Sequence, residues 1–310
     1  MGPVIFLMGP TASGKTEAAC RLVDRFPCDI VSVDSALVYR GLDIGTAKPG
    51  PATLARYPHR LIDVCDPTER YSAARFREDA LRAIDEIHGR GRVPLLVGGT
   101  GLYFKVLAGG IAALPSGDAA VRERLAGELA RSDVREMHRR LALVDPVSAA
   151  RIHPNDQQRT LRALEVCDIT GAAMSALIAN DTGAGQPFIP LQLVYAPTDR
   201  SWLHRRIERR FDAMLRAGFI NEVRALRARG DLGPDDPALR AVGYRAAWQY
   251  LDSQCDFATM REQGIVATRQ LAKRQFTWFR RVPEAQWVDP LASGAAEILN
   301  VAVKRHIEVK

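Results

Sequence analysis

Cysteine is scarce. There are five in 310 residues: Cys20, Cys28, Cys65, Cys167 and Cys255. They are scattered, odd in number and nowhere spaced as Cys-x-x-Cys. That pattern argues against a disulfide framework and a structural zinc site, and it points to a reducing compartment. Long apolar runs are missing too. None approaches the roughly 20 residues that span a bilayer, so no membrane association is expected. Residues 1–8 lack the basic start and long apolar core of a secretory signal, and a cytoplasmic location is expected. No low-complexity tract and no long internal repeat interrupts the chain.

What is present is an ordinary globular composition, 47% hydrophobic and 25% charged. The length suits one large domain or a domain with an insertion. Lys plus Arg number 43 against 36 Asp plus Glu, a formal charge of +7. A moderate positive charge suits a polyanionic partner.

The most specific local pattern is Gly9-Pro10-Thr11-Ala12-Ser13-Gly14-Lys15-Thr16. It fits G-x-x-x-x-G-K-[ST], the phosphate-cradling P-loop. Val4 to Met8 reads as a buried strand before it. Gly14 to Phe26 reads as a helix after it, with Ala18, Ala19, Leu22, Val23 and Phe26 on one face. That arrangement aims backbone N–H groups and a positive helix end at a polyphosphate. Lys15 adds a point charge, and Thr16 a hydroxyl ligand for Mg²⁺.

Strand and helix alternate onward from there. Strands are expected over 29–33, 59–64, 94–97 and 191–195. A helix is expected over 72–88, with Phe76, Ala80, Ala83, Ile84 and Ile87 as its apolar stripe. The fold class is therefore α/β: a P-loop NTPase-like parallel sheet with helices on both faces. In such sheets ligands gather beyond the strand C-termini. Residues 8–16, Asp34-Ser35 and 98–101 all fall there and are expected to converge on one cleft. Between 114 and 185 strand signals vanish and helical spacing takes over (Val121, Leu125, Leu129; Val134, Met137, Leu141). This segment is expected to be an all-α insertion domain, with residues 179–185 as its return linker. Residues 1–113 and 186–310 form the core. The helix after Asp199 turns Leu203, Ile207, Phe211, Met214 and Leu215 inward, ends near Gly218, and holds Arg205, Arg206, Arg209 and Arg210 on its other faces. Residues 295–307 suit a closing helix.

Nucleotide-hydrolysing P-loop proteins often have a strand ending in Asp that organises Mg²⁺. Here Leu95-Leu96-Val97 runs into Gly98-Gly99 with no carboxylate. The available carboxylate is Asp34, at the end of the second strand. It can act as a base, hold metal-bound water, or only bond nearby backbone. A kinase of a small metabolite and an RNA-binding protein with a nucleotide switch are the alternatives these residues leave open. Toward the C-terminus, 263–281 reads as a helix. Arg269, Lys273, Phe276 and Arg280 share one face, Arg274 and Arg281 flank it, and Trp278 and Phe279 are interleaved. Such a helix tracks phosphates and stacks an unpaired base; a solvated basic face with Trp278 in the core is the plainer alternative. Arg159 and Arg162, and Arg240 and Arg245 around 241–244, extend the theme.

Several stretches together, in order along nearly the whole chain, resemble the bacterial tRNA dimethylallyltransferase family. They are residues 9–16, Val31-Ser32-Val33-Asp34-Ser35-Ala36-Leu37-Val38-Tyr39 continuing to Pro49, Leu95 to Thr100, Arg151 to Asp156, Val242-Gly243-Tyr244-Arg245, and Ala267 to Gln275. The resemblance implies transfer of a five-carbon dimethylallyl group from dimethylallyl diphosphate to N6 of the adenosine 3′-adjacent to the anticodon, in tRNAs reading codons that start with U. It implies a P-loop that holds diphosphate rather than driving ATP hydrolysis, which accounts for the missing strand-end carboxylate. Lys15, Thr16 with Mg²⁺, the loop amides and Arg210 are then expected to stabilise the departing diphosphate. Asp34 is expected to accept the N6 proton or orient the amine, and Thr100 to hydrogen-bond near the reacting centre. The tRNA anticodon stem-loop is expected against Ser35, Ala36 and Leu37, against Gly101, and against Arg240, Gly243, Tyr244 and Arg245. Lys273, Arg274, Gln275, Phe276, Thr277, Trp278, Phe279 and Arg280 are expected on the same side. In the insertion, Glu123, Gln158, Arg159, Thr160, Leu161 and Arg162 are expected to grip the anticodon arm. Gly101 stands where some relatives carry a bulkier residue. Nothing demands a second subunit, so a monomer is expected.

Overall fold

The computed structural model describes residues 2–110, 112, 114–180 and 188–308. The chain divides into two compact units, one of Met1–Ala108 with Gln186–Lys310, the other Gly109–Gly185.

The first unit begins β1 (Val4–Met8), α1 (Lys15–Arg25), β2 (Cys28–Val33), α2 (Pro51–Arg56), β3 (His59–Arg60), α3 (Ala73–Gly89), β4 (Val93–Gly98) and α4 (Gly101–Gly109). The second unit holds α5 (Ala119–Arg131), α6 (Val134–Val144), α7 (Pro146–Arg151), α8 (Gln157–Thr170) and α9 (Met174–Asn180). The first unit resumes with β5 (Pro190–Tyr195), α10 (Arg200–Arg216), α11 (Phe219–Ala228), α12 (Tyr244–Leu251), α13 (Phe257–Phe279), β6 (Gln286–Val288) and α14 (Ala295–Glu308). No helix among the described residues is long and apolar enough to cross a membrane.

The strands form a single sheet in the order β3-β2-β4-β1-β5-β6, and every pair is parallel. Alternation along the strands feeds two cores. Val4, Phe6 and Met8 join the cluster containing Phe76, Tyr103, Leu107, Ile207 and Phe276. Ile5 and Leu7 join the cluster with Ala18, Leu22, Leu299 and Val303. Both faces are thus covered, as a parallel sheet requires. Since α1 lies on one face and α4 on the other, the loops leaving β1 and β4 part company at the strand ends. A crevice opens at such a reversal. Register levels the strand ends there: Met8 pairs with Gly98 and Val194, and Val33 with Gly98.

Local chemistry explains most boundaries. Ser72 caps α3 by accepting the Arg75 amide, Asp145 caps α7 ahead of Pro146, and Gly171 at φ 66° ends α8. Of the expected return linker, residues 181–185 lie outside the described residues. The strand expected over 59–64 is a correction: only His59 and Arg60 pair with β2. Leu61 and Asp63 adopt positive φ, and the Asp63 and Cys65 amides bond Leu37 and Val38 carbonyls instead. Lys48 secures this detour by donating to the Tyr39 carbonyl at 2.9 Å and pairing with Asp43 and Asp63. Gly218 closes α10 as expected, in the left-handed conformation with its N–H on the Leu215 carbonyl. It also caps the start of α11, a helix the sequence pattern missed.

In the second unit Leu125, Met137, Leu141, Ala149, Ala163 and Leu164 make a separate core. Buried Glu165 organises its polar side, pairing with Arg122 at 2.6 Å and Arg162 at 2.7 Å and accepting the Asp118 amide.

Candidate active site

In the loop after β1 the Thr11 and Ser13 amides bond Gln275 Oε1 and the Pro10 carbonyl, leaving those at the start of α1 for an anion. Ala12 and Gly14 both take positive φ, 64° and 91°. Gly14 pays no steric penalty there, and α1 starts at once on the next residue. Successive N–H groups facing one point make an anion-binding concavity. Lys15 sits over it and donates to the Pro10 carbonyl at 3.1 Å. Pro10 and Ser13 are buried at the loop's base. The Ser13 hydroxyl has no hydrogen-bond partner.

The strand ends are packed backbone to backbone. A Cβ on Gly98 would stand 1.9 Å from the Val33 carbonyl oxygen, and one on Gly9 2.3 Å from that of Tyr195. Glycine is therefore required for β1, β2, β4 and β5 to close up. That closure brings Asp34 to the loop. Its Oδ1 accepts the Ala36 amide at 2.9 Å, an Asx turn that aims the carboxylate. From β4, the Thr100 hydroxyl accepts the Ser35 amide at 3.1 Å.

Helix α10 delivers the counter-charges. Arg210 donates to the Thr11 hydroxyl. Arg206, one turn earlier, stands over the Trp202 ring at 4.9 Å and pairs loosely with Glu17 at 3.9 Å. With Gly14, Lys15 and Thr16 the two arginines line a cleft of about 710 Å³. Burial pushes Lys15 down to about 8, with Asp34 opposing and Arg210 reinforcing the shift. Burial likewise lowers Arg210 to about 10, again opposed by Asp34 and reinforced by Arg206. The site is a cluster of partly desolvated cations facing two carboxylates, Asp34 and Glu17, and it is short of negative charge.

No group of three His, Cys, Asp or Glu side chains suited to a metal occurs among the described residues. The Thr16 hydroxyl lines the cleft beside the Glu17 carboxylate. One hydroxyl suits Mg²⁺, which keeps most of its waters and takes further oxygens from a phosphate ligand.

The other expected residues separate into groups. Ser35, Arg240, Arg245, Lys273, Arg274, Thr277, Trp278 and Arg280 are exposed, and Ala36, Leu37 and Gly101 half-buried. Gly101 lies beneath Trp278, where a Cβ would meet the Trp278 Cγ at 2.9 Å. Gly243, Tyr244, Phe276 and Phe279 are buried and pack rather than present a surface. Gln275 corrects the expectation of a surface contact: it is buried between the Thr11 amide and the Gly99 carbonyl. In the second unit Glu123, Gln158 and Arg159 are exposed, Leu161 and Arg162 half-buried, and Thr160 fully buried.

Two supporting residues went unassigned in the sequence. Arg206 carried a usable signal, its i, i+4 spacing from Arg210. Glu222 carried none. It accepts the amides of Asp43, Ile44 and Gly45 at 2.9, 2.6 and 3.1 Å, together with the Tyr244 hydroxyl at 2.6 Å. It thereby anchors the segment that follows Asp34.

A family model for IPP transferase matches residues 37–282. The tRNA dimethylallyltransferases of Thioalkalivibrio sulfidiphilus and Paraburkholderia phymatum are 57% and 56% identical, over 99% and 98% of this chain and 95% and 97% of their own. The structure of a tRNA isopentenylpyrophosphate transferase from Bacillus halodurans superposes with a TM-score of 0.72 at 34% identity, over 99% of this chain and 97% of the other. A eukaryotic dimethylallyltransferase acting on tRNA superposes with a TM-score of 0.82 at 25% identity, over 98% and 79%. On a model spanning most of its length and relatives above half identity from end to end, the chain belongs to the IPP transferase family.

Proposed function

We propose that the protein transfers a dimethylallyl group from dimethylallyl diphosphate to N6 of the adenosine 3′-adjacent to the anticodon of tRNA, releasing diphosphate. The relatives' name supports tRNA prenylation, and nothing among them supports the kinase alternative. One observation carries the chemistry. The loop cations and Asp34 occupy neighbouring strand ends, and the charge of Asp34 acts on both Lys15 and Arg210.

The exocyclic amine of adenine is a weak nucleophile because its lone pair is delocalised into the ring. The allylic carbon tolerates positive charge, and diphosphate leaves once neutralised. Lys15, Arg210 and the amides of residues 14–16 at the start of α1 bind the diphosphate and take up its growing charge as the allylic C–O bond breaks. Arg206 adds a further cation at the cleft wall. The N6–C bond forms on the opposite side, and the displaced N6 proton passes to the Asp34 carboxylate. Thr100 and Ser35 hold that carboxylate's turn in place. The Thr16 hydroxyl would hold Mg²⁺, which would supply additional positive charge to the leaving group.

The acceptor adenosine must leave its stack to reach this point. Exposed Lys273, Arg274, Trp278 and Arg280 offer phosphate contacts and a stacking face. Glu123, Gln158, Arg159 and Arg162 of the second unit, 114–185 in the sequence-derived division, are assigned to the anticodon arm. All the reacting groups come from one chain, so the reading extends to a monomer, working in the cytoplasm where its RNA substrate is found.

The test is mass spectrometry of an anticodon stem-loop incubated with protein, Mg²⁺ and dimethylallyl diphosphate. Gain of one C5H8 on the adenosine 3′ of the anticodon, greatly slowed in Asp34→Ala, is the expected result. No gain on this or on unfractionated tRNA overturns the reading and sends the search to ATP consumption.

A further inference from the structure

We propose that Gln275 is the positioning residue that sets the phosphate loop against the end of β4, and so determines where a bound diphosphate lies relative to Asp34 and Thr100. This rests on the reading that residues 9–16 hold the diphosphate.

Gln275 lies in the last third of α13 and is 8% exposed. Its Oε1 accepts the Thr11 backbone N–H at 2.8 Å. Its Nε2 donates to the Gly99 carbonyl at 3.0 Å. A single primary amide thus satisfies one donor and one acceptor on two separate segments. Both segments border the chemistry. Thr11 is the loop residue whose hydroxyl takes the Arg210 guanidinium. Gly99 precedes Thr100, whose hydroxyl holds the Asp34 turn through Ser35.

The fit is close. A Cβ on Gly99 would lie 2.2 Å from Gln275 Nε2, so glycine at 99 is what lets the amide reach the backbone. Few side chains can substitute. Asn is one methylene too short to span both segments. An ionised Glu only accepts, and it would set its second oxygen against the Gly99 carbonyl. A protonated Glu, by contrast, reproduces the acceptor and donor pair of the amide. The residues beside Gln275 on α13, Lys273, Arg274 and Thr277, face solvent, so the helix proposed to meet RNA also braces the diphosphate loop from within. Sites held by one such brace lose precision when it goes, and rate and affinity follow.

The experiment is calorimetric titration of inorganic diphosphate with Mg²⁺ into the full chain, as wild type, Gln275→Ala and Gln275→Glu. Circular dichroism checks that each variant is folded. Gln275→Ala leaves the Thr11 N–H and Gly99 C=O unpaired, and diphosphate binding weakens about tenfold or more. Gln275→Glu is as weak at about pH 8 and recovers toward wild type by about pH 5, as its buried carboxyl takes a proton. The wild type measured at each pH corrects for titration of the ligand. Steady-state kinetics supplies the second readout: Gln275→Ala raises KM for dimethylallyl diphosphate and leaves KM for the RNA stem-loop within about twofold. Wild-type affinity in Gln275→Ala, or a Gln275→Glu deficit that ignores pH, overturns the proposal. A KM effect confined to RNA also overturns it and returns Gln275 to the RNA-binding surface. Failure of the wild type itself to bind diphosphate overturns the reading of the loop, a result distinct from failure at Gln275 alone.

Discussion

The Thr100 hydroxyl accepts the Ser35 amide at 3.1 Å, tying the end of β4 to the residue after Asp34. The same hydroxyl donates to the Ser35 Oγ at 3.4 Å. Thr100→Val keeps the volume and loses both bonds, leaving the Ser35 amide without its partner. We expect a loss of about 1 kcal/mol in unfolding free energy. The drop in kcat should be larger, about tenfold, because the Asp34 turn loosens. Chemical denaturation and steady-state kinetics measure the two separately. A full loss of stability with kcat unchanged would make Thr100 a strand-end cap alone.

Asp34→Asn preserves the Asx turn to Ala36, since an amide oxygen can accept the same bond. It removes the base. Single-turnover prenylation should slow by about a hundredfold to ten-thousandfold, while diphosphate binding by calorimetry is retained. A near-normal rate would place the N6 proton on another group.

Lys15 gives the diphosphate site a pH dependence with a definite sign. Burial lowers Lys15 to about 8 in the free protein. An anion prefers the charged ammonium, so affinity is highest below about pH 8 and falls as pH rises through it. Binding raises the lysine's affinity for its proton. Titrations near pH 8 in buffers of different ionisation enthalpy should therefore show more proton uptake in the wild type than in Lys15→Met, a difference that cancels protons displaced from the ligand. An equal or smaller uptake in the wild type would contradict the assignment.

Glu222 anchors the segment after Asp34 through three backbone amides and the Tyr244 hydroxyl. Tyr244 is fully buried and Glu222 half-buried, so Tyr244→Phe leaves the carboxylate short of one donor. A loss of about 2 kcal/mol is expected in urea unfolding. Glu222→Gln should cost more, since only one of its two polar atoms accepts. An unchanged midpoint in both variants would show that the 43–45 turn holds itself.

Much of this was legible from the chain. The loop at 9–16 lies in a strand-loop-helix unit whose signals are local: an apolar run, glycines at fixed offsets, and a 3.6-residue stripe. The alternation of 4–8 and 93–98 with helices is enough to imply a parallel sheet, and from that the gathering of residues 9–16, 34–35 and 98–101 at one edge. The helical character of 119–170 also followed from spacing and caps such as Asp145-Pro146. The third strand did not. His59 to Val64 has the composition of a strand, but Lys48 and the backbone of 37–38 draw residues 61–65 away from the sheet. No window of sequence contains that competition.

The local patterns therefore determined the elements, the phosphate loop and the placement of Asp34 at a strand end, because those depend on residues within a few positions of one another. The tertiary structure decided which partners completed the site. Gln275 reaches Thr11 across 264 positions of chain, Arg210 reaches it across 199, and Glu222 reaches Ile44 across 178. Whether a polar side chain on a helix faces solvent or a buried backbone amide depends on what packs against it. For Gln275 that was settled only when α13 came to lie beside the loop after β1.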